Sequence, residues 1–323
     1  MSNSYRPEGS IINSFENREY ISSLSGLERA MLCGKIVEAT ATLCDEDARL
    51  HVDLHGIRGY IDREECVYCR EGEQLKDIAI ITRVGKPVCF KVLSIERDEL
   101  GPYAVLSRRE AQKECMMRYL SDLICGDIIE ARVTHLESFG AFVDIGCGIS
   151  SLLSIDCISI SRISHPKSRL SVGMSLQTVV KSIDRESGRI FVSLKELLGS
   201  WEENAANFKP GSTVAGIIRS VESYGIFVEL APNLAGLAEL RDSSGASVIS
   251  PDAVGCRAAV YIKSIIPERM KIKLVLIDQS GEKATPEPLK YFVNTSRVRH
   301  IDRWRYSPDG CERLVESVFE RGN

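Results

Sequence analysis

The chain has 323 residues, 44% of them hydrophobic and 27% charged, with 41 Lys and Arg set against 45 Asp and Glu for a net charge of −4. That composition suits two or more core-forming domains. It excludes collagen-like and wholly disordered chains, and no apolar run nears the roughly 20 residues that a bilayer span requires. An acidic balance also argues against coating duplex nucleic acid through bulk positive charge.

In chain order, the first ten residues, MSNSYRPEGS, carry neither the basic start nor the apolar stretch of a secretory signal. Eleven singly scattered cysteines then read as reduced thiols, and the expected location is the cytoplasm. The spacing of apolar residues predicts a helix over 18–32 within an N-terminal arm of 1–31. It also predicts helices over 107–123, whose linker part is 110–123, and over 194–208, whose linker part is 197–208. Between them lie three regions, 32–109, 124–196 and 209–278, each holding about five short Val-, Ile- and Phe-rich segments punctuated by Gly, Pro, Asn and Asp. This is the pattern of closely spaced strands, not of βαβ crossovers. A basic, aromatic tail fills 279–323, with a last short helix predicted at 311–320. The fold class is all-β: three tandem five-stranded barrels of OB type joined by short helices.

The three regions are copies of one another. ARVTHLESFGAFVDI (131–145) recurs 85 positions later as GIIRSVESYGIFVEL (216–230). VGMSLQTVVKSID (172–184) has its counterpart in VGCRAAVYIKSII (254–266), and GRIFVSL (188–194) in MKIKLVL (270–276). A weaker copy upstream runs through GKIVEATATLCDEDARLHVDLHGIRGYI (34–61) and VGKPVCFKVLSIERD (84–98).

The shared aromatic-Gly-x-Phe string is the most informative motif. Residues three apart in a strand face opposite sides, so a bulge or twist at Gly140 is expected to bring Phe139 and Phe142 onto one surface. Two outward rings beside Arg and Lys form a stacking platform for unpaired bases. The basic groups cluster suitably: residues 156–195 hold Arg162, Lys167, Arg169, Lys181, Arg185, Arg189 and Lys195 against Asp156, Asp184 and Glu186.

These strings resemble the S1 RNA-binding domain, an OB-fold variant, strongly in the second and third copies and weakly in the first. Three tandem copies make the chain similar to a short form of the bacterial ribosomal protein S1 family. The resemblance implies RNA contacts at Phe139, Phe142, Asp184 and Arg189 in the second copy and at Tyr224, Phe227 and Lys271 in the third, with Lys181 and Lys263 at phosphates. Ser154 and Glu239 stand where the family often has His, and Ile266 where it has Asp. His165, on the loop before the fourth strand, is either a substitute contact or a loop residue bonded to backbone. In the first copy the ring positions fall near Ala48 and His51, after the acidic Asp45, Glu46 and Asp47. That copy is therefore expected to lack stacking rings, and to be either a contact for the small ribosomal subunit or a purely structural repeat.

The resemblance implies single-stranded mRNA and the small ribosomal subunit as partners, with no membrane and no cofactor. The alternatives are a ribosome-independent RNA regulator or chaperone, and a protein–protein scaffold. No phosphate-binding loop, nucleophile elbow or H-E-x-x-H helix occurs, so an enzyme is not expected. Cys66-Val-Tyr-Cys69 is a single C-x-x-C, a weak metal signal without a second pair, and no metal site is assigned. The tail alternates Lys290, Arg297, Arg299, Arg303 and Arg305 with Tyr291, Phe292, Trp304 and Tyr306. It reads either as a second RNA contact or as an anchor on the third copy.

Overall fold

The computed structural model describes residues 5–70, 72–239 and 251–319. It separates into two compact units, one of Met1–Leu123 with Asp144–Ser150 and one of Ile124–Val143 with Ser151–Asn323. Three five-stranded sheets each close on themselves. Barrel 1 uses β1 (Val37–Cys44), β2 (Leu50–Leu54), β3 (Ile57–Ile61), β4 (Pro87–Asp98) and β5 (Gly101–Ser107). Barrel 2 uses β6 (Ile128–Glu137), β7 (Gly140–Asp144), β8 (Ser150–Ser154), β9 (Ser175–Asp184) and β10 (Arg189–Ser193). Barrel 3 uses β11 (Thr213–Glu222), β12 (Gly225–Ala231), β13 (Leu234–Glu239), β14 (Cys256–Ile266) and β15 (Lys271–Lys283).

Strand order around each barrel is the same: first, second, third, fifth, fourth. In each the third and fifth strands run parallel, β3 with β5, β8 with β10 and β13 with β15. The remaining recorded pairings are antiparallel, a Greek-key arrangement that leaves no free sheet edge. Alternation of side chains sends one set inward. Leu50, Leu54, Ile61, Phe90 and Leu106 fill barrel 1, and Ile218, Val228, Leu234, Val260, Ile262 and Leu274 fill barrel 3.

The connectors are more broken than the sequence predicts. The N-terminal arm holds two helices, α1 (Phe15–Ile21) and α2 (Leu24–Leu32), because the Ser23 hydroxyl caps the second by accepting from the Gly26 amide. A short α3 (Asp77–Ile81) lies within the first copy. The helix expected over 107–123 is α4 (Arg108–Asp122), capped by Ser107. Of the helix expected over 194–208, only α5 (Trp201–Ala205) and a single 3-10 turn at Lys195–Leu197 form. The helix expected at 311–320 is replaced over its described part by a strand: β17 (Glu316–Val318) pairs with β16 (Arg303–Arg305), long-range pairing overriding local propensity. Trp304 and Tyr306 are buried in the core of barrel 3, and the Tyr306 hydroxyl donates to the Asn233 carbonyl at 2.6 Å, so the tail is anchored.

In the first unit the chain before α1 is held by buried charge. Arg108 donates from Nε and Nη2 to Glu8 at 2.7 and 3.0 Å, a bidentate pair. Burial alone would raise the Glu8 carboxyl, but Arg108 outweighs it and holds it below the usual range. Glu38 on β1 accepts from the Gly9 and Ile11 amides, and burial pushes its carboxyl up to about 7. A folded-state value above the unfolded one means that Glu38 contributes stability that is complete below the unfolded value and lost as pH rises through about 7. Glu38→Gln keeps an acceptor without the charge. The gap in thermal midpoint between this variant and the unsubstituted protein is therefore expected to widen in the variant's favour from pH 5.5 to pH 8.5, and a gap independent of pH would contradict the assignment.

Candidate nucleic-acid interface

The two ring pairs are built alike. In barrel 3 the β11–β12 register runs to Glu222 opposite Gly225, so Ser223 and Tyr224 form a two-residue turn that Gly225 follows as the first strand residue. In barrel 2, Ser138 and Phe139 occupy the same place before Gly140. The Phe139 and Phe142 rings lie 6.1 Å apart at 89°, and the Tyr224 and Phe227 rings 6.2 Å apart at 89°. Such edge-to-face pairs are favourable in themselves. Phe139 and Tyr224 are 53% and 60% exposed, well beyond what a core ring shows.

The mechanism that brings the rings together differs from the expected bulge. The turn carries the first ring over the strand that holds the second, and the bulge in β11 lies elsewhere, between Ile218 and Ser220. The glycine has a steric task instead. A Cβ at Gly140 would lie 2.5 Å from the Leu153 carbonyl oxygen, and one at Gly225 2.8 Å from that of Ala238.

The remaining expected contacts are placed as follows. Arg189 and Lys271 are exposed at the start of the fifth strand of their barrels, paired in register with Asp184 and Ile266. Asp184 is occupied: it accepts from the Ser187 hydroxyl and from the Glu186 and Ser187 amides, and the Ser187 bond holds its carboxyl below the usual range. Its observed task is to hold the β9–β10 turn. Lys181 and Lys263 sit at matching bulges, between Val180 and Ser182 and between Ile262 and Ser264, where an unpaired residue is turned outward. The Lys181 ammonium donates to the Cys157 sulfur at 3.0 Å, which raises its affinity for the proton. His165 accepts from the Lys167 amide through Nδ1 at 3.0 Å, a bond within its own loop. Ser154 and Glu239 end their strands, and Glu239 meets Lys273 at 3.8 Å.

Three further surface residues were missed by reading motifs alone. On barrel 3, Phe227 is opposite Leu237 and Leu237 opposite Lys273, so Lys273 shares the ring face. On barrel 2, Phe191 is opposite Leu152, and both are half-buried between neighbours in the strand that are buried. The signal was present in the two-residue alternation from Arg189 to Phe191 and from Lys271 to Lys273.

Barrel 1 corrects the expectation of a ringless copy. His51, Tyr60 and Tyr103 make an edge-to-face chain with centroids 4.9 and 5.6 Å apart. Arg49 and Arg58 lie over Tyr60 and Tyr103 at 5.7 and 5.6 Å. Four polar groups on this face are paired with carboxylates, Arg49 with Asp62, Arg58 with Asp98, His51 with Asp45 and the Tyr103 hydroxyl with Glu96, and the Tyr60 hydroxyl accepts from Arg58. The ring faces are thus covered by the barrel's own guanidinium groups, and the surface is acidic.

Cys66 is buried, its thiol faces the Ile61 and Asp62 carbonyls, and burial pushes it up to about 12. Among the described residues no cluster of His, Cys, Asp or Glu fits a metal ion.

Because the glycine clash is with backbone, Gly140→Ala and Gly225→Ala are each expected to cost about 1–3 kcal/mol of stability and to displace the ring turn. Chemical denaturation of each variant measures this, and a loss below about 0.5 kcal/mol would contradict the tight approach.

Residues 123–195, which make up barrel 2, match the S1 RNA binding domain family. The chain is 28% identical over 246 residues to the small ribosomal subunit protein bS1 of Leuconostoc lactis, covering 72% of this chain and 55% of that one. It is 32% identical over 210 residues to the bS1 homolog of Bacillus subtilis, covering 64% and 52%. To bS1 of Staphylococcus aureus it is 27% identical over 303 residues, covering 88% and 73%. The chain thus spans about half the length of the first two relatives. One barrel matches the S1 RNA binding domain directly, two more share its strand order, and the chain is similar to bacterial ribosomal proteins bS1 across most of its length.

Proposed function

We propose that this chain is an RNA-binding protein of the ribosomal S1 type, which holds single-stranded mRNA by base stacking and supports translation on the small ribosomal subunit in the cytoplasm. In this reading regions 32–109, 124–196 and 209–278 are three S1 repeats, and the protein acts by binding, without catalysis or a cofactor. The observation that carries it is the recurrence of one ring geometry, 6.1 and 6.2 Å at 89°, on exposed turns of two barrels. Core packing does not require a half-exposed aromatic in the same place twice, whereas each stacked base gains about 1–3 kcal/mol on such a ring.

Exposed Arg189, Lys271 and Lys273 beside the rings supply phosphate contacts, and Lys181 and Lys263 flank them from the bulges. A chain of net charge −4 that places these cations next to rings favours unpaired strands, whose bases are free to stack, over a duplex, whose bases are not. Small-subunit association is supported by the relatives, which are small ribosomal subunit proteins by name.

Two outcomes are expected. Phe139→Ala combined with Tyr224→Ala weakens binding of a U-rich oligonucleotide at least about tenfold, as fluorescence anisotropy would read, because each lost stack is worth about 1–3 kcal/mol. Unchanged affinity in the folded double variant would remove the platform. In a sucrose gradient of lysate, co-migration with small subunits that survives ribonuclease is expected. Loss from the ribosomal fractions on ribonuclease treatment would leave an mRNA-binding regulator instead, and a peak at the top throughout would leave a scaffold.

A further inference from the structure

The second unit contains a cavity of about 290 Å³ between the Ser168–Arg169 segment ahead of β9, strands β11 and β12, and the segment Thr285–Lys290, and no ring of either pair lines it. That segment, Thr-Pro-Glu-Pro-Leu-Lys, is stiffened by two prolines. It is pinned at both ends: the Ala284 amide donates to the Gly255 carbonyl at 2.8 Å, and the Phe292 amide to that of Leu197 at 2.9 Å. It forms a fixed wall.

The floor is a buried ionic triad. Arg169 donates to both oxygens of Glu229 at 2.7 Å, and Arg219 to both at 2.9 and 3.0 Å. The side chains are 6%, 8% and 3% exposed for Arg169, Arg219 and Glu229. Burial alone would raise the Glu229 carboxyl, but the two guanidinium groups outweigh it and hold it below the usual range. One carboxylate therefore faces two cations, and its oxygens already accept four charge-assisted bonds. The triad keeps one uncompensated positive charge out of water, a costly state unless an anion lies near. Around the rim stand Arg257, paired with Glu287 at 3.0 Å, and Lys290. In all the lining holds four cations and two carboxylates, an excess of two positive charges in a chain of net charge −4. Ser168 and Thr285 add hydroxyl donors.

We propose that this cavity binds a phosphate monoester. Such a group carries about −1.5 to −2 charge at neutral pH, which matches the excess of the lining, and guanidinium groups suit its several acceptor oxygens. The volume sits at the low end of small-ligand sites, which fits a mononucleotide or the terminal nucleotide of a chain and excludes a larger cofactor. The rings of the stacking platform are not among its lining residues, so the proposal stands whether or not that reading holds.

Calorimetric titration of the whole protein at constant ionic strength, with inorganic phosphate and then with uridine monophosphate, tests this. Saturable binding is expected. Arg257→Gln with Lys290→Gln leaves two cations against two carboxylates without touching the buried triad, and is expected to weaken both ligands at least about tenfold. Phe139→Ala with Tyr224→Ala should leave the inorganic phosphate titration unchanged, since phosphate has no base to stack. Unaltered circular dichroism confirms that each variant is folded. A 5′-phosphorylated U-rich oligonucleotide that binds better than its 5′-hydroxyl form, a difference abolished by the rim variant, assigns the phosphate to an RNA end. No such difference, with nucleotide binding retained, assigns it to a free nucleotide. Heats that do not saturate, or equal binding by the rim variant, would overturn the proposal.

Discussion

At Gly140 and Gly225 the second strand of a barrel passes so close to the third that a single added carbon would meet a backbone carbonyl at 2.5 or 2.8 Å. The approach closes the sheet tightly at that corner, and the turn residue just before it is exposed. Phe139 and Tyr224 are those residues, and the next outward position on each strand is again a ring, Phe142 and Phe227. The exposed aromatic surface therefore lies at the corner where the second strand meets the third. The cations beside it, Arg189 in one barrel and Lys271 and Lys273 in the other, come from the fifth strand, which its parallel pairing with the third brings to the same face.

Barrel 1 has the same strand order without that constraint, and its surface diverges accordingly. Arg49 stands where the others have glycine, and rings supplied by β2, β3 and β5 are roofed by arginines and ringed by carboxylates. The repeats share a fold while their outer faces differ in charge and access, as expected when function is carried by surface residues grafted on a common frame. Buried charge serves each unit in its own way: Glu8 and Arg108 hold the N-terminal segment, whereas the Arg169–Glu229–Arg219 triad ties the loop ahead of β9 to barrel 3.

The barrels and the ring pairs were legible because both are local: alternation within a strand and a short string around one glycine. The reason for the glycine was not, since its clash is with a strand that follows more than ten residues later. Tyr60 and Tyr103 are 43 positions apart and escaped notice because only the parallel β3–β5 register makes them neighbours of one patch. The bonds by which Asp184 holds the β9–β10 turn are a detail that residue type alone does not reveal. The expected C-terminal helix failed for a related reason, because Glu316–Val318 finds its partner in Arg303–Arg305. Trp304 and Tyr306, ambiguous in sequence, are settled by burial as anchors.

The central claim is that unpaired bases lie on the ring faces of barrels 2 and 3. Ultraviolet crosslinking of a uridine-rich oligonucleotide to the intact protein, with mass-spectrometric mapping of the modified residues, tests it directly. The account predicts adducts at Phe139 or Phe142 and at Tyr224 or Phe227, and none at Tyr60 or Tyr103. Adducts concentrated on barrel 1 or on the tail around Tyr291 and Phe292, with the two ring pairs unmodified, would contradict it.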